Sequence, residues 1–199
     1  MKKIKFLKTI IFIFILSTNY LFAQQKQNFN HLILTKVGNL NKDQILDSIV
    51  VKQDTIDICK PYRLEIYLTN KKEGKYLSIS TDKAITPDCY KGIYGLECEK
   101  IFSDIEIIDN IFIIKHIDKN VKSEHSFQLR GKRFKLIKSN FIKSNTTDGK
   151  VYYETINFNT NLRRVKAINT EDKTILYDTE YRINFNSQYL KDFNMDPKH

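Results

Sequence analysis

The chain has 199 residues, with 33 Lys and Arg against 23 Asp and Glu and a formal charge of +10. With 41% hydrophobic and 28% charged residues it can bury a core, which excludes wholesale disorder. Six Gly, three Pro and no Trp exclude collagen-like and Pro-rich architectures, and abundant Ile, Phe and Tyr favour strands over helices.

The first segment reads MKKIKFLKTIIFIFILSTNYLFAQQ. Lys2, Lys3, Lys5 and Lys8 form a positive start, Ile10 to Leu16 an apolar run, and Ala23 a small residue before two glutamines. That layout predicts a secretory signal peptide over residues 1–23, cut after Ala23. The competing reading, an uncleaved anchor, suffers from the interruption at Ser17, Thr18 and Asn19 and from a run well short of the roughly 20 apolar residues that a span needs. Cleavage removes four basic residues and no acidic one, so the charge of the remaining 176 residues falls to +6. Much of the basicity belongs to the export signal, and a nucleic-acid partner is therefore not expected. The product is expected to be exported, periplasmic or extracellular, and not membrane-spanning after cleavage.

Residues 24–30 read as a flexible lead, 31–190 as one β-rich domain and 191–199 as a polar tail. Within the domain, HLILTKV (31–37) and DSIVVKQD (47–54) flank a polar turn. RLEIYLT (63–69) puts Leu64, Ile66 and Leu68 on one face, and KYLSIST (75–81) puts Leu77 and Ile79 together. Two hairpins have a defined register. A turn at Asp109-Asn110 opposes Ile107 to Phe112 and Ile105 to Ile114. A turn at Gly131-Lys132 opposes Leu129 to Phe134 and Phe127 to Leu136. Asp-Asn suits a type I′ turn and a leading glycine a type II′ turn. A one-residue slip would drive charges into the core. VYYETINF (151–158) and LRRVKAI (162–168) form a further hairpin, TILYDTEYRINF (174–185) a long last strand, and SQYLKDF (187–193) at most a short C-terminal helix. The fold class is mainly β: antiparallel hairpins or a meander in a single sandwich- or barrel-like domain.

Export places the cysteines where disulfides persist. Cys89 and Cys98 bracket YKGIYGLE, read as a loop, and are the disulfide candidate. Cys59 is then either a small buried hydrophobe or an alternative partner. No CxxC occurs and no histidine lies near a cysteine in sequence, so zinc is not indicated.

The segment GNLNKDQILDSIVV places Asn39, Asn41, Asp43 and Asp47 at positions 1, 3, 5 and 9 of a tight loop, with the Ile45 carbonyl available at position 7. Oxygens so spaced converge on a point, as in sites for a hard cation such as calcium, and these five residues are the weak calcium candidate. The segment resembles the calcium loops of FG-GAP and related β-propeller repeats, where D-x-N-x-D-G-x-x-D runs into a strand. It departs from them in Asn39 at position 1, in Gln44 where the family has glycine, and in Val50 at position 12. With two carboxylates, binding is expected to be weak or absent, the alternative being a plain turn held by local hydrogen bonds. A wider stretch, FSDIEIIDNIFIIKH with SFQLRGKRFKLIKSNF and INFNTNLRR, resembles a group of uncharacterised secreted proteins of Bacteroidota. The resemblance implies export and one fold, and brings no activity.

No catalytic residues are assigned. His125-Ser126 is a bare adjacency, His116 reads as a strand-end residue, and the carboxylate pairs Asp104/Glu106 and Glu171/Asp172 stand beside strands or turns where solvated charge is ordinary. Arg130, Lys132, Arg133, Lys135 and Lys138 make a basic surface patch, suited to an anionic glycan or an acidic envelope protein, or to guarding a sheet edge. The expected function is a non-catalytic binding or accessory protein of the envelope. The alternatives are an envelope hydrolase using a carboxylate pair and an inhibitor-like module that recognises an enzyme through a sheet edge.

Overall fold

The computed structural model describes residues 28–92, 95–98, 101–145, 147–186 and 188–193; the expected signal peptide, residues 1–23, lies outside them. Thirteen strands follow in order: β1 (His31–Gly38), β2 (Asp47–Gln53), β3 (Tyr62–Asn70), β4 (Gly74–Thr81), β5 (Cys89–Gly92), β6 (Gly95–Cys98), β7 (Phe102–Ile108), β8 (Ile111–Asp118), β9 (Val121–Arg130), β10 (Arg133–Asn145), β11 (Lys150–Asn157), β12 (Leu162–Asn169) and β13 (Ile175–Arg182). They form a four-stranded sheet β1-β2-β3-β4, a seven-stranded sheet β13-β12-β11-β10-β9-β8-β7 and the small pair β5-β6, all antiparallel. The two larger sheets are open and face each other as a sandwich.

Alternation builds the core. Ile49 and Val51 of β2, with Leu64, Ile66 and Leu68 of β3, meet Phe102 and Ile105 of β7, Phe112 and Ile114 of β8, Phe127 of β9, and Phe134 and Leu136 of β10. Phe112 stacks on Phe127 with ring centroids 5.1 Å apart and meets Phe134 edge-on at 5.4 Å. Each such ring contributes several kcal/mol, since phenylalanine-to-alanine changes in cores cost about 3–5 kcal/mol.

Both hairpin registers follow the turn chemistry. Ile107 pairs with Phe112 and Ile105 with Ile114, around Asp109 and Asn110 at φ 46° and 64°. Leu129 pairs with Phe134 and Phe127 with Leu136, around Gly131 at φ 61°. In the first turn both central residues are left-handed, as type I′ requires.

Two expectations are corrected. Leu77 and Ile79 do not share a face: a bulge between Ile66 and Tyr67 pairs Ile79 with Ile66 but Leu77 with Tyr67, so Ile79 packs on the core while Leu77 is exposed. The Cys89–Cys98 segment is no loop, because its backbone pairs Cys89 with Cys98, Tyr90 with Glu97, Lys91 with Leu96 and Gly92 with Gly95. The last segment, expected to form at most a short helix, forms a bridge followed by a single turn. Tyr189 bridges to Lys135, the Leu136 amide donates to the Gln188 carbonyl at 2.9 Å and the Leu190 amide to the Phe134 carbonyl at 2.8 Å. Beyond the bridge the chain turns, with the Asp192 and Phe193 amides both donating to the Tyr189 carbonyl at 2.9 Å, and this anchored turn places Leu190 and Phe193 in the core.

The C-terminal segment explains how the large sheet divides. Before its bulge near Ile137, β10 is bonded on its outer side by residues 188–190; from Lys138 onward it pairs with β11 instead. The core cluster draws no residue from β11, β12 or β13. These three strands, with the far halves of β9 and β10, form a wing that extends past the four-stranded sheet.

Candidate functional site

The wing carries the accessible features. All eight residues of β13 are exposed, and β13 ends the sheet order, so one side of its backbone pairs with no strand among the described residues. Its register with β12 sets Tyr177 beside Ala167, Thr179 beside Val165 and Tyr181 beside Arg163 on one face, and Asp178 beside Lys166 and Glu180 beside Arg164 on the other. The outer face is charged and pinned. Arg164 grips Asp178 through Nε at 2.7 Å and Nη2 at 2.6 Å, and this guanidinium holds the Asp178 carboxyl below the usual carboxylate range. The inner face is aromatic and continues that of the sandwich core.

On that inner face a concavity of about 570 Å³ is lined by Phe141, Lys143, Tyr152, Ile156, Arg163 and Val165. The register brings these together, pairing Lys143 with Tyr152, Ile156 with Arg163, and Glu154 with both Phe141 and Val165. Arg163 Nε lies 2.6 Å from Glu154 Oε1, which neutralises both charges.

Between the concavity and the core lie two buried imidazoles. His116 and His125 are each 2% exposed, with ring centroids 6.0 Å apart. His125 Nδ1 lies 2.9 Å from Ser139 Oγ; its Nε2 and both nitrogens of His116 have no hydrogen-bond partner among the described residues. Burial pushes the His116 pKa down to about 3, helped by His125, and that of His125 down to about 4. Both rings are neutral at pH 7. The Ser139–His125 contact is not a nucleophile pair in working order, since Ser139 is 2% exposed and the ring bonds no carboxylate.

The carboxylate pairs are already engaged, Asp104/Glu106 by lysines and Asp172 of the second pair by Thr174. Asp104 Oδ1 lies 2.9 Å from Lys36 Nζ, and Glu106 Oε2 lies 2.5 Å from Lys115 Nζ. Asp172 accepts the Thr174 amide at 3.0 Å and its hydroxyl at 2.7 Å. Neither pair shares a proton or faces a histidine.

In the 39–47 loop the side-chain oxygens face backbone amides. Asn39 Oδ1 accepts from Lys42 at 2.7 Å, Asn41 Oδ1 from Asp43 at 3.1 Å and Asp43 Oδ1 from Ile45 at 2.8 Å. Buried Asp47 accepts from Leu40 and from Thr69, both at 2.8 Å. Lys42 and Gln44 adopt φ of 67° and 65°, which makes the successive turns possible without the family's glycine. Among the described residues no group of three or more His, Cys, Asp or Glu is arranged to hold a metal.

Arg130, Lys132 and Arg133 are exposed at the β9–β10 tip, Lys135 is half-buried, and Lys138 is exposed beyond the bulge. The Arg133 guanidinium stacks 3.8 Å from the Tyr189 ring centroid, so the C-terminal segment braces the patch. At the other end, Cys59 is a half-buried free thiol. Its carbonyl accepts the Cys89 amide at 3.2 Å, which turns that amide away from Cys98 and leaves the two paired cysteines in the closer, non-hydrogen-bonded type of cross-strand position. Gln53 Nε2 donates to Asp88 at 2.8 Å, and Asp88 also accepts the Tyr62 hydroxyl, tying this region to β2 and β3. Burial and the Asp88 carboxylate push the Tyr62 pKa up.

The wing was missed by sequence reasoning, because TILYDTEYR shows the alternation of a strand without showing what covers its sides. No helix among the described residues is long and apolar enough to cross a membrane. No family model, curated protein or solved structure matches the chain.

Proposed function

We propose that this protein is an exported, non-catalytic binding component of the cell envelope that recognises a partner protein by taking an extended segment of it alongside β13. The free edge of β13 is the observation that supports this reading, because an exposed strand edge presents main-chain donors and acceptors that an added strand satisfies in series. Natural sheets usually blunt such edges with charge. On β13 itself the charges stand on the outer face only, where Asp178 is already held by Arg164, while its inward side chains Tyr177, Thr179 and Tyr181 are uncharged. An incoming strand with apolar residues on its inner face fits that pattern.

The carboxylate pairs favour the binding reading over the hydrolase, since each acid of Asp104/Glu106 already faces its own lysine. Export rests on the Lys2-to-Ala23 pattern, and with it goes the inference that Cys89 and Cys98 are joined in the mature protein.

The test places a photo-crosslinking phenylalanine analogue at Thr179, and in a control at Tyr76 on the edge strand β4, in protein expressed in its own cells. The expected result is one discrete envelope-protein adduct from position 179 and none from position 76. The adduct should vanish when Thr179 and Tyr181 are replaced by proline in a variant carrying the crosslinker at Tyr177. Equal labelling from both edges, or none from β13, overturns the proposal.

A further inference from the structure

We propose that the concave inner face of the wing binds a small amphiphile, one with an apolar body and a single anionic head group. The inference is separate from the edge of β13, because it concerns the face of β10–β12 and a different class of ligand.

The face is built for an apolar body. Phe141, Tyr152, Ile156 and Val165 come from three adjacent strands and line one hollow of about 570 Å³, within the size range of small-molecule sites. In the sandwich the equivalent surface of β7–β10 is covered by the four-stranded sheet and the C-terminal segment. Here the cover stops, and the same inward-facing pattern continues as half-buried side chains. Phe141 forms the hollow's inner end, its ring packed edge-on at 5.4 Å against His125, which is itself held against Phe193 at 5.1 Å. The floor is thus anchored in the core and does not depend on the ligand for its shape.

Charge selects the head group. Three charged side chains border the hollow: Arg163, Glu154 and Lys143. Arg163 and Glu154 cancel each other at 2.6 Å. Lys143 is exposed, faces Tyr152 across the β10–β11 ladder, and makes no ion pair among the described residues. One uncompensated cation at the rim of an apolar hollow matches one anionic group on an apolar body, such as a fatty acid or an aromatic carboxylate. A cationic amphiphile meets like charge, and a neutral one gains only the burial.

The absence of tryptophan from the chain gives a clean reporter. Tyr152→Trp places the sole indole in the wall of the hollow, at the cost of one exposed hydrogen bond to Asp148. Emission is followed in the full mature chain titrated with decanoate, decanol or decyltrimethylammonium, each below its micellar concentration. Decanoate is expected to give a saturable blue shift with one-site stoichiometry, and decanol the same shift at roughly tenfold higher concentration, the range of one charge-assisted contact. Decyltrimethylammonium is expected to give no shift. Lys143→Gln added to the reporter should raise the decanoate midpoint to that of decanol, and Val165→Arg should abolish both shifts, with thermal midpoints checked to show that the variants fold. Equal binding of all three head groups, binding indifferent to both substitutions, or no saturable shift with decanoate overturns the assignment.

Discussion

Gly38 of β1 and Ile107 of β7 meet so closely that a Cβ built on the glycine would lie 2.7 Å from Ile107 Cγ2 and 3.2 Å from its Cβ. The contact lies where the edges of the two large sheets come together, beside the Lys36–Asp104 ion pair. A branched side chain near its own backbone has little room to retreat. Gly38→Ala is therefore expected to destabilise by about 1–3 kcal/mol, the range for overpacking. Urea unfolding measures it. Ile107→Ala removes the clashing methyl, so the double variant should lose less than the sum of the two single losses. Strict additivity would show that the sheets slide apart freely there.

The buried imidazoles set the acid response. His116 and His125 titrate at about 3 and about 4 in the folded protein, against 6.5 when unfolded. Above pH 6.5 both are neutral in both states and stability is at its full value. As pH falls below 6.5 the unfolded chain takes up protons that the folded chain refuses, so stability declines, and this continues until the folded values are reached. Each ring is expected to cost roughly 2 kcal/mol by pH 5, before most carboxylates titrate. Denaturant midpoints at pH 7.5, 6.5, 5.8 and 5.0 give the slope. His116→Leu, of similar volume and with no orphaned nitrogen, should hold or raise stability at pH 7.5 and remove about half of the acid slope. A stability that stays flat from pH 7.5 to 5 would mean that the rings reach solvent.

The strands and the two tight hairpins were legible because their residues obey one rule at a time: period-two alternation, with turn residues that tolerate positive φ. Ile105, Ile107, Phe112 and Ile114 are legible for that reason. Leu77 was not, because the bulge inserts one residue and reverses the face of everything beyond it, and no composition signal marks that insertion. The wing escaped notice for another reason. Alternation reports that a strand has an apolar face, and it is silent on whether another layer covers that face. Tyr152 and Val165 alternate as core residues do, yet the opposing sheet ends before reaching them.

Leu190 locks the C-terminus. It is fully buried, and its amide and that of Leu136 complete a short ladder between residues 188–190 and the first half of β10. Leu190→Ala leaves a cavity beside Phe134 and Leu136 and is expected to cost about 2–5 kcal/mol. Phe193→Ala is expected to cost a similar amount and also to loosen His125, so the acid slope of that variant should lessen. Thermal unfolding and the pH series check both. A loss below 1 kcal/mol at each position would show that the segment is applied to the surface, with no part in the core.

Asp47 separates a turn from a cation site. Its two oxygens accept the Leu40 and Thr69 amides, joining the 39–47 loop to the end of β3. Asp47→Asn leaves one buried amide unanswered, for an expected loss of about 1–3 kcal/mol. Calcium at ~10 mM is expected to leave the thermal midpoint of the wild type unchanged, since Asn39, Asn41 and Asp43 already answer backbone donors. A site with a Kd near 1 mM would raise stability by about 1.4 kcal/mol at that concentration, a shift of several degrees. Such a shift, lost in Asp43→Asn, would establish the loop as a calcium site.

The cysteines give the last test, and it bears on export as well as on folding. Cys89 and Cys98 are cross-strand partners, with the Cys89 amide committed to the Cys59 carbonyl. Non-reducing peptide mapping of protein recovered from the envelope is expected to find Cys89 linked to Cys98, Cys59 alone alkylated, and a new N-terminus at Gln24. The bond closes a short segment, so reduction should lower stability by about 2–3 kcal/mol in the chain-entropy account. Cys59→Ser should leave the linkage intact. Three free thiols together with an intact Met1 would place the mature chain in a reducing compartment, and would remove the export premise on which the binding role in the envelope depends.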